Sequence, residues 1–111
     1  MDFRVKKAVS KFLSRYDYNI LDMSGDYFDV VLWDNDNEEL VFIEVGELYD
    51  GEFPVDEINL FKRKQIEKNV CAYFEDNDIS DVKIRFDFLR LKRLCGDRAL
   101  VRYHKDAWSR V

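Results

Sequence analysis

The chain has 111 residues, of which 47% are apolar and 15% aromatic, and a formal net charge of -5. This length favours one domain over residues 1–111 with a single core, and the composition excludes a disordered chain. The apolar runs are too short to span a bilayer, and residues 1–10 are polar and basic. We therefore expect a cytoplasmic protein without membrane contact.

The spacing of apolar residues predicts a helix, three strands, a second helix and two further strands. Val5, Val9 and Leu13 share one face of the first helix, over residues 2–16. The strands are expected at 19–23, 27–33, 40–46, 82–91 and 99–104, and the second helix at about 55–76. Because a helix joins the third and fourth strands, these two can be parallel. We expect an α/β fold with a mixed sheet flanked by helices.

One carboxylate interrupts each of the two most apolar strands. Asp29 lies in YFDVVLW (27–33) and Glu44 in LVFIEVG (40–46), and the polar turn 34–39 joins the two strands. The side-chain period of two can bring both carboxylates to one face, where they would share a proton or bind a divalent cation. The alternative is that each carboxylate simply points into water, as strand carboxylates most often do.

The second helix carries polar residues within its apolar stripe. That stripe consists of Ile58, Phe61, Ile66, Val70 and Tyr73. Lys62, Gln65 and Asn69 fall inside it or at its border, which predicts a polar groove between the helix and the sheet. Lys62 would reach furthest into this groove. The alternative is that its stem packs while its ammonium group extends to water.

Charge is distributed unevenly along the chain. Residues 17–61 contain fourteen Asp and Glu but no Lys or Arg, whereas the chain from residue 82 onward contains nine basic and three acidic residues. The basic end could contact phosphate or form an ordinary solvated face, and a pI near 4.9 argues against strong general nucleic-acid binding. The acidic run alone raises a third possibility, a surface that mimics DNA.

The cysteines and the single histidine are interpreted as structural residues. Cys71 and Cys95 lack metal-ligand spacing, so we expect reduced thiols, with Cys71 facing the core. His104 lies between Tyr103 and Lys105 near the end of the last predicted strand, and we interpret it as a surface residue rather than a catalytic base.

The order and spacing of these motifs resemble the YraN-type proteins, members of the restriction-endonuclease-like PD-(D/E)XK superfamily. The family stretches Gly-Glu-Ile-Asp-Leu-Ile-Ala and Leu-Val-Phe-Val-Glu-Val-Lys correspond to residues 26–33 and 40–46. AYF at 72–74 resembles the family's Ala-Tyr-Leu and places Lys62 on the helix lysine, and RFD at 85–87 matches Arg-Phe-Asp. The likeness covers about residues 5–91 and implies a restriction-endonuclease-like core of order αβββαββ.

The resemblance implies metal-dependent hydrolysis of nucleic-acid phosphodiesters, such as those of DNA. Asp29 and Glu44 would bind Mg²⁺ or Mn²⁺, and a lysine would orient the attacking water. The superfamily lysine, however, falls on Gly46, and the glutamate two residues before the strand aspartate falls on Tyr27. We therefore expect Lys62 to supply the missing catalytic cation from across the groove.

The basic residues after position 82 would then guide a nucleic-acid strand, with Lys83, Arg85 and Arg90 as the candidates. The alternative is a catalytically inactive protein on the same fold, a pseudoenzyme that binds nucleic acid, a protein partner or a second copy of itself. Whether the chain is an enzyme stays open at this point.

Overall fold

The structure, a computed structural model, describes residues 1–47, 60–94 and 98–107. Within these ranges the elements are α1 (Phe3–Leu13), β1 (Tyr18–Asp22), β2 (Val30–Asp34), β3 (Glu39–Glu47), α2 (Leu60–Asp76), β4 (Lys83–Arg93) and β5 (Ala99–His104). The chain is therefore an α/β protein, as its patterning predicts.

The five strands form one mixed sheet in the order β1-β2-β3-β4-β5. Neighbouring strands are antiparallel except β3 and β4, which are parallel and pair from Glu39 with Lys83 to Glu47 with Leu91. This confirms the parallel pair expected from the intervening helix, because a crossover helix returns the chain to the same end of the sheet.

Helices pack on both faces of the sheet, because successive strand side chains point to opposite faces. On one face Val9 and Leu13 of α1 lie in a cluster with Val30, Leu32, Val41, Ile43, Leu89 and Leu91. On the other face Ile66, Val70 and Tyr73 of α2 lie in a cluster with Val31, Leu40, Phe42, Phe86 and Phe88. Each large side chain buried in this way contributes about 1.5–3 kcal/mol to stability.

Helix α1 begins and ends at polar residues. The carboxylate of Asp2 accepts a hydrogen bond from the Val5 N–H at 2.9 Å, which satisfies one of the unpaired donors at the helix start. At the other end the Ser14 hydroxyl donates to the Lys11 carbonyl at 2.6 Å, and the helix ends at Leu13 rather than at residue 16.

Some predicted positions differ from those observed. β2 begins at Val30, so Asp29 comes directly before the strand instead of inside it. Cys71 is exposed, and the prediction that it faces the core is wrong. It is one residue beyond the buried Val70 and so is rotated about 100° away from the apolar stripe.

Several expectations fall outside the described residues. They concern Cys95, the start of the second helix near Pro54, Ile58, and the side chain of Phe61. Within the described ranges, neither helix is long and apolar enough to cross a membrane.

Candidate functional site

A cleft of about 210 Å³ separates the first turns of α2 from the sheet. It is lined by Gly25, Tyr27, Phe28, Asp29, Glu44, Lys62, Gln65, Ile66, Asn69 and Phe86. Both predicted carboxylates and all three polar residues of the α2 stripe therefore border one space. Phe28, Ile66 and Phe86 form its apolar part.

Asp29 is held at the edge of the cleft by the backbone of β3. Its Oδ2 accepts a hydrogen bond from the Val45 N–H at 2.8 Å. The antiparallel pairing of β2 with β3 ends at Val30 and Ile43, next to Asp29 and Glu44. Glu44 follows Ile43 in β3 and therefore points to the face that α2 covers, where Asp29 and Glu44 both line the cleft.

Glu44 forms an ion pair across the cleft with the residue predicted from the helix pattern. The ammonium group of Lys62 lies 3.1 Å from Glu44 Oε1. The Lys62 side chain is 40% exposed and that of Glu44 is 29% exposed. A pair this accessible to water adds about 1 kcal/mol or less to stability, so its position in the cleft matters more than its energy.

A second cation approaches Glu44 from the sheet, and sequence reasoning missed its location. Gly46 pairs with Arg90 in the parallel register, and Arg90 is only 7% exposed. Arg90 Nη2 lies 3.9 Å from Glu44 Oε1, and Nη1 donates to the Glu44 carbonyl at 3.2 Å. Aligning FIEVG (42–46) with FDFLR (86–90) as parallel strands would have revealed this neighbour.

The polar residues of α2 also connect the helix to the segment that carries Asp29. The Asn69 amide donates to the Tyr27 carbonyl at 3.2 Å. The Tyr27 hydroxyl donates to Asp76 Oδ2 at 2.5 Å. This hydrogen bond, and to a lesser extent burial, raises the pKa of Tyr27 to about 12. Asp29 is thus positioned by β3 through the Val45 N–H and by α2 through the hydrogen bond from Asn69 to Tyr27.

The predicted nucleic-acid contacts at Lys83 and Arg85 do not join the cleft. Arg85 is 6% exposed and lies on the α1 face, with Nη1 at 2.7 Å from Asp34 Oδ2 and Nε at 3.0 Å from Asp87 Oδ1. Burial by itself lowers the pKa of Arg85, but hydrogen bonds to Asp87 and Asp34 outweigh it and raise that pKa. Direct contact between Arg85 and nucleic acid conflicts with this burial.

Lys83 is exposed, but it pairs with Glu39 at the opposite end of β3 from Glu44. Arg90, the third predicted contact, is buried behind Glu44 instead of lying on a surface that a nucleic-acid strand could reach. His104 pairs with Phe88 in the sheet and does not line the cleft. Of the predicted basic residues, only Lys62 faces the cleft.

The described residues contain no group of three or more His, Cys, Asp and Glu side chains that could hold a metal ion. Among the described residues, the carboxylates in the cleft are Asp29 and Glu44. A cation bound by these two carboxylates alone would need further oxygen ligands, which water or a bound molecule can supply.

Neither a scan against known protein families nor a search of curated proteins finds a match to this sequence.

Proposed function

We propose that this chain is a divergent PD-(D/E)XK nuclease whose cleft hydrolyses nucleic-acid phosphodiesters with Mg²⁺ or Mn²⁺. One observation carries the proposal. The Lys62 ammonium lies 3.1 Å from Glu44, in a cleft that Asp29 also lines. A cation from α2 thus supplements the carboxylate pair, where the resemblance calls for a lysine and this chain has Gly46.

The arrangement of the elements supports the nuclease core. The described residues follow the order αβββαββ, with Asp29 directly before β2, Glu44 in β3 and Lys62 in the helix that joins β3 to β4. Asp29 directly precedes one strand of the antiparallel β2–β3 pair and Glu44 lies in the other, and the lysine comes from the crossover helix above them. Fold by itself does not define activity, so the proposal depends on these three side chains.

The donor set suits Mg²⁺ better than a cation that needs many protein ligands. Mg²⁺ keeps several waters and is commonly bound by one or two carboxylates together with substrate phosphates. Within the described residues, Asp29 and Glu44 each have one oxygen that accepts no hydrogen bond, Oδ1 and Oε2 respectively. Two carboxylates with such oxygens fit this ion when a phosphate completes its shell.

In this proposal, Asp29 and Glu44 hold the ion, which when bound supplies Lewis-acid activation of water and of the phosphoryl oxygen. Because the Lys62 side chain is 40% exposed, its ammonium can turn from Glu44 to a phosphate oxygen or to the attacking water. Gln65 and Asn69 line the same cleft and can donate amide hydrogen bonds to the phosphate. Phe28 and Phe86 line the same cleft and form part of its apolar wall.

The test is cleavage of single-stranded and double-stranded oligonucleotides in Mn²⁺ by the native protein and by Lys62→Met, Glu44→Gln and Asp29→Asn. Each variant removes either a carboxylate that would hold the metal ion or the cation that would contact the phosphate, so a loss of about a hundredfold or more is expected. Lys64→Met is the matched control, because Lys64 is exposed on the same helix and does not line the cleft. Equal activity in native, Lys62→Met and Glu44→Gln samples would reveal a contaminating nuclease and end the proposal.

One observation favours a second candidate function, an inactive nuclease-like binding module. Glu44 already has two cations near one oxygen, Lys62 at 3.1 Å and Arg90 at 3.9 Å. If that carboxylate has only a structural role, millimolar Mn²⁺ leaves the unfolding temperature unchanged with and without oligonucleotide. A metal-dependent shift that Glu44→Gln abolishes excludes this second function.

A further inference from the structure

The space above Gly46 is filled by a side chain from the next strand. A Cβ built on Gly46 would lie 3.2 Å from Arg90 Nε and 3.3 Å from Arg90 Cδ and Cζ. These are closer than ordinary van der Waals contacts, and the atoms belong to the end of a buried arginine side chain. Glycine at position 46 is therefore matched to arginine at position 90 by volume.

The hydrogen bonds of Arg90 hold the guanidinium group in this place. Its Nη1 donates to the carbonyls of Glu44 at 3.2 Å and Leu89 at 3.3 Å, and its Cζ lies 4.7 Å from the centre of the Phe88 ring. Arg90 does not line the cleft, so it lies behind Glu44, whereas Lys62 lies in front of it. Two cations thus approach Glu44 Oε1, Lys62 at 3.1 Å and Arg90 at 3.9 Å, where the resemblance calls for one strand lysine.

Among the described residues, the two carboxylates of the cleft and the two cations beside Glu44 carry charges that sum to zero before any ligand binds. Asp29 and Glu44 contribute two negative charges, and Lys62 and Arg90 contribute two positive ones. A divalent ion alone would leave these four groups with excess positive charge. A phosphodiester, and the further negative charge that develops during hydrolysis, would offset that excess.

We propose that Arg90 is a positioning residue that replaces, from β4, the positive charge missing at position 46. It holds Glu44 from behind and opposes binding of a divalent ion until a phosphate is present. This inference rests on the proposed phosphodiester hydrolysis and deepens it. In this inference, the buried Arg90 is the residue that makes binding of the metal ion depend on the presence of substrate.

The experiment measures Mn²⁺ affinity by paramagnetic resonance of free Mn²⁺, first without nucleic acid and then with oligonucleotide, and the rate of oligonucleotide cleavage. The proteins are native, Arg90→Met, Arg90→Lys and the double variant Gly46→Lys with Arg90→Met. In Arg90→Met, loss of the nearby positive charge is expected to tighten Mn²⁺ binding by about tenfold and to slow cleavage by about tenfold or more. The double variant and Arg90→Lys are expected to return both quantities toward native values.

Opposite changes in metal affinity and cleavage rate separate a positioning role from a merely structural one. If Arg90→Met and Arg90→Lys weaken both quantities in parallel, while the native protein binds Mn²⁺ and cleaves, the role assigned to Arg90 is wrong and the nuclease function stands. If the native protein neither binds Mn²⁺ with oligonucleotide nor cleaves it, the proposed function fails and this inference fails with it. If Arg90→Met does not fold, Arg90→Gln, which keeps an amide donor without the charge, takes its place in the same comparison.

Discussion

Single residues decide which charges of this protein can act on a ligand. Arg85 and Arg90 are both buried arginines of β4, yet they face opposite sides of the sheet. Arg85 is surrounded by Asp34, Asp87 and Glu39, whereas Arg90 shares its carboxylate, Glu44, with Lys62. Arg85 therefore stabilises the fold, whereas Arg90 can affect the charge of the cleft through Glu44.

The buried network around Arg85 predicts a specific acid sensitivity. Burial raises the pKa of Asp34, but hydrogen bonds from Asn37 and Arg85 outweigh it and lower that pKa from 3.8 to about 2. A carboxyl group whose pKa is lower in the folded state contributes stability above its unfolded pKa. That contribution is lost as the pH falls through the folded pKa.

We expect the free energy of unfolding to decrease by about 2 kcal/mol through Asp34 alone between about pH 4 and pH 2. Urea unfolding followed by circular dichroism across this range measures it. Asp34→Asn is less stable at neutral pH, and the gap between the native protein and the variant should narrow below about pH 4. A gap that stays constant from pH 6 to pH 2 would show that Asp34 is not the group that titrates.

The close contact at Gly46 predicts that even a methyl side chain at position 46 lowers the free energy of unfolding. A methyl group there meets Arg90 at 3.2–3.3 Å, so Gly46→Ala is expected to cost about 1–3 kcal/mol through overpacking. The same substitution in an Arg90→Met background should cost less, because the flexible methionine can move aside. Chemical unfolding of the four proteins gives the coupling energy, and additive effects would mean that the two residues do not compete for space.

At the scale of elements, strand pairing and helix packing explain what the sequence could predict. β5 has the predicted bounds, 99–104, and β3 extends the predicted strand by one residue at each end. These limits follow from apolar side chains alternating toward two faces. The polar stripe of α2 likewise predicts the cleft, because polar side chains facing a sheet need a space that holds water or a ligand.

What the sequence could not predict depends on neighbours that are distant in the chain. Asp29 lies directly before β2, and its carboxylate, rather than a backbone carbonyl, accepts the hydrogen bond from the Val45 N–H. Asp34 belongs to the predicted turn, yet it is 1% exposed because Arg85 pairs with it from 51 residues away. Arg90 looks like part of a basic tail until the parallel register places it beside Gly46.

The hydrogen bond from Asn69 of α2 to Tyr27 restrains the Asp29 segment, residues 27–29. Removing this bond is predicted to make the Asp29 segment more mobile. Asn69→Ala removes the hydrogen bond to the Tyr27 carbonyl and should cost about 1 kcal/mol. It should also speed hydrogen exchange at the Val45 N–H, which binds Asp29 in the same segment. Exchange measured by nuclear magnetic resonance tests this effect.

Asn77→Ala is the control for that measurement. It removes a hydrogen bond of similar length, from the Asn77 amide to the Tyr73 carbonyl at 2.9 Å, but that bond stays within the end of α2. A similar loss of stability with unchanged exchange at Val45 is expected. Equal acceleration in both variants would show that α2 as a whole, and not Asn69, restrains the Asp29 segment.

At the scale of the whole molecule, charge limits how the protein can meet nucleic acid. The net charge is -5, and two of the three basic residues expected to bind nucleic acid, Arg85 and Arg90, are buried. Among the described residues that line the cleft, Lys62 is the one cation. Binding through a broad basic surface is therefore not what this part of the structure supports, and the proposed metal ion would have to bridge the protein and the phosphate.

This arrangement predicts a weak dependence of nucleic-acid affinity on salt. Each phosphate neutralised by a basic side chain contributes about -0.7 to the slope of log affinity against log salt for single strands, so one or two contacts give a slope near -1. Fluorescence anisotropy of a labelled single-stranded oligonucleotide, with Ca²⁺ replacing Mg²⁺ to prevent cleavage, measures this slope between about 50 and 200 mM salt. Lys62→Met should reduce its magnitude by about 0.7, and Lys64→Met should leave it unchanged. A native slope steeper than about -3 would mean that a larger basic surface carries the binding, and the metal-bridged cleft would no longer explain it.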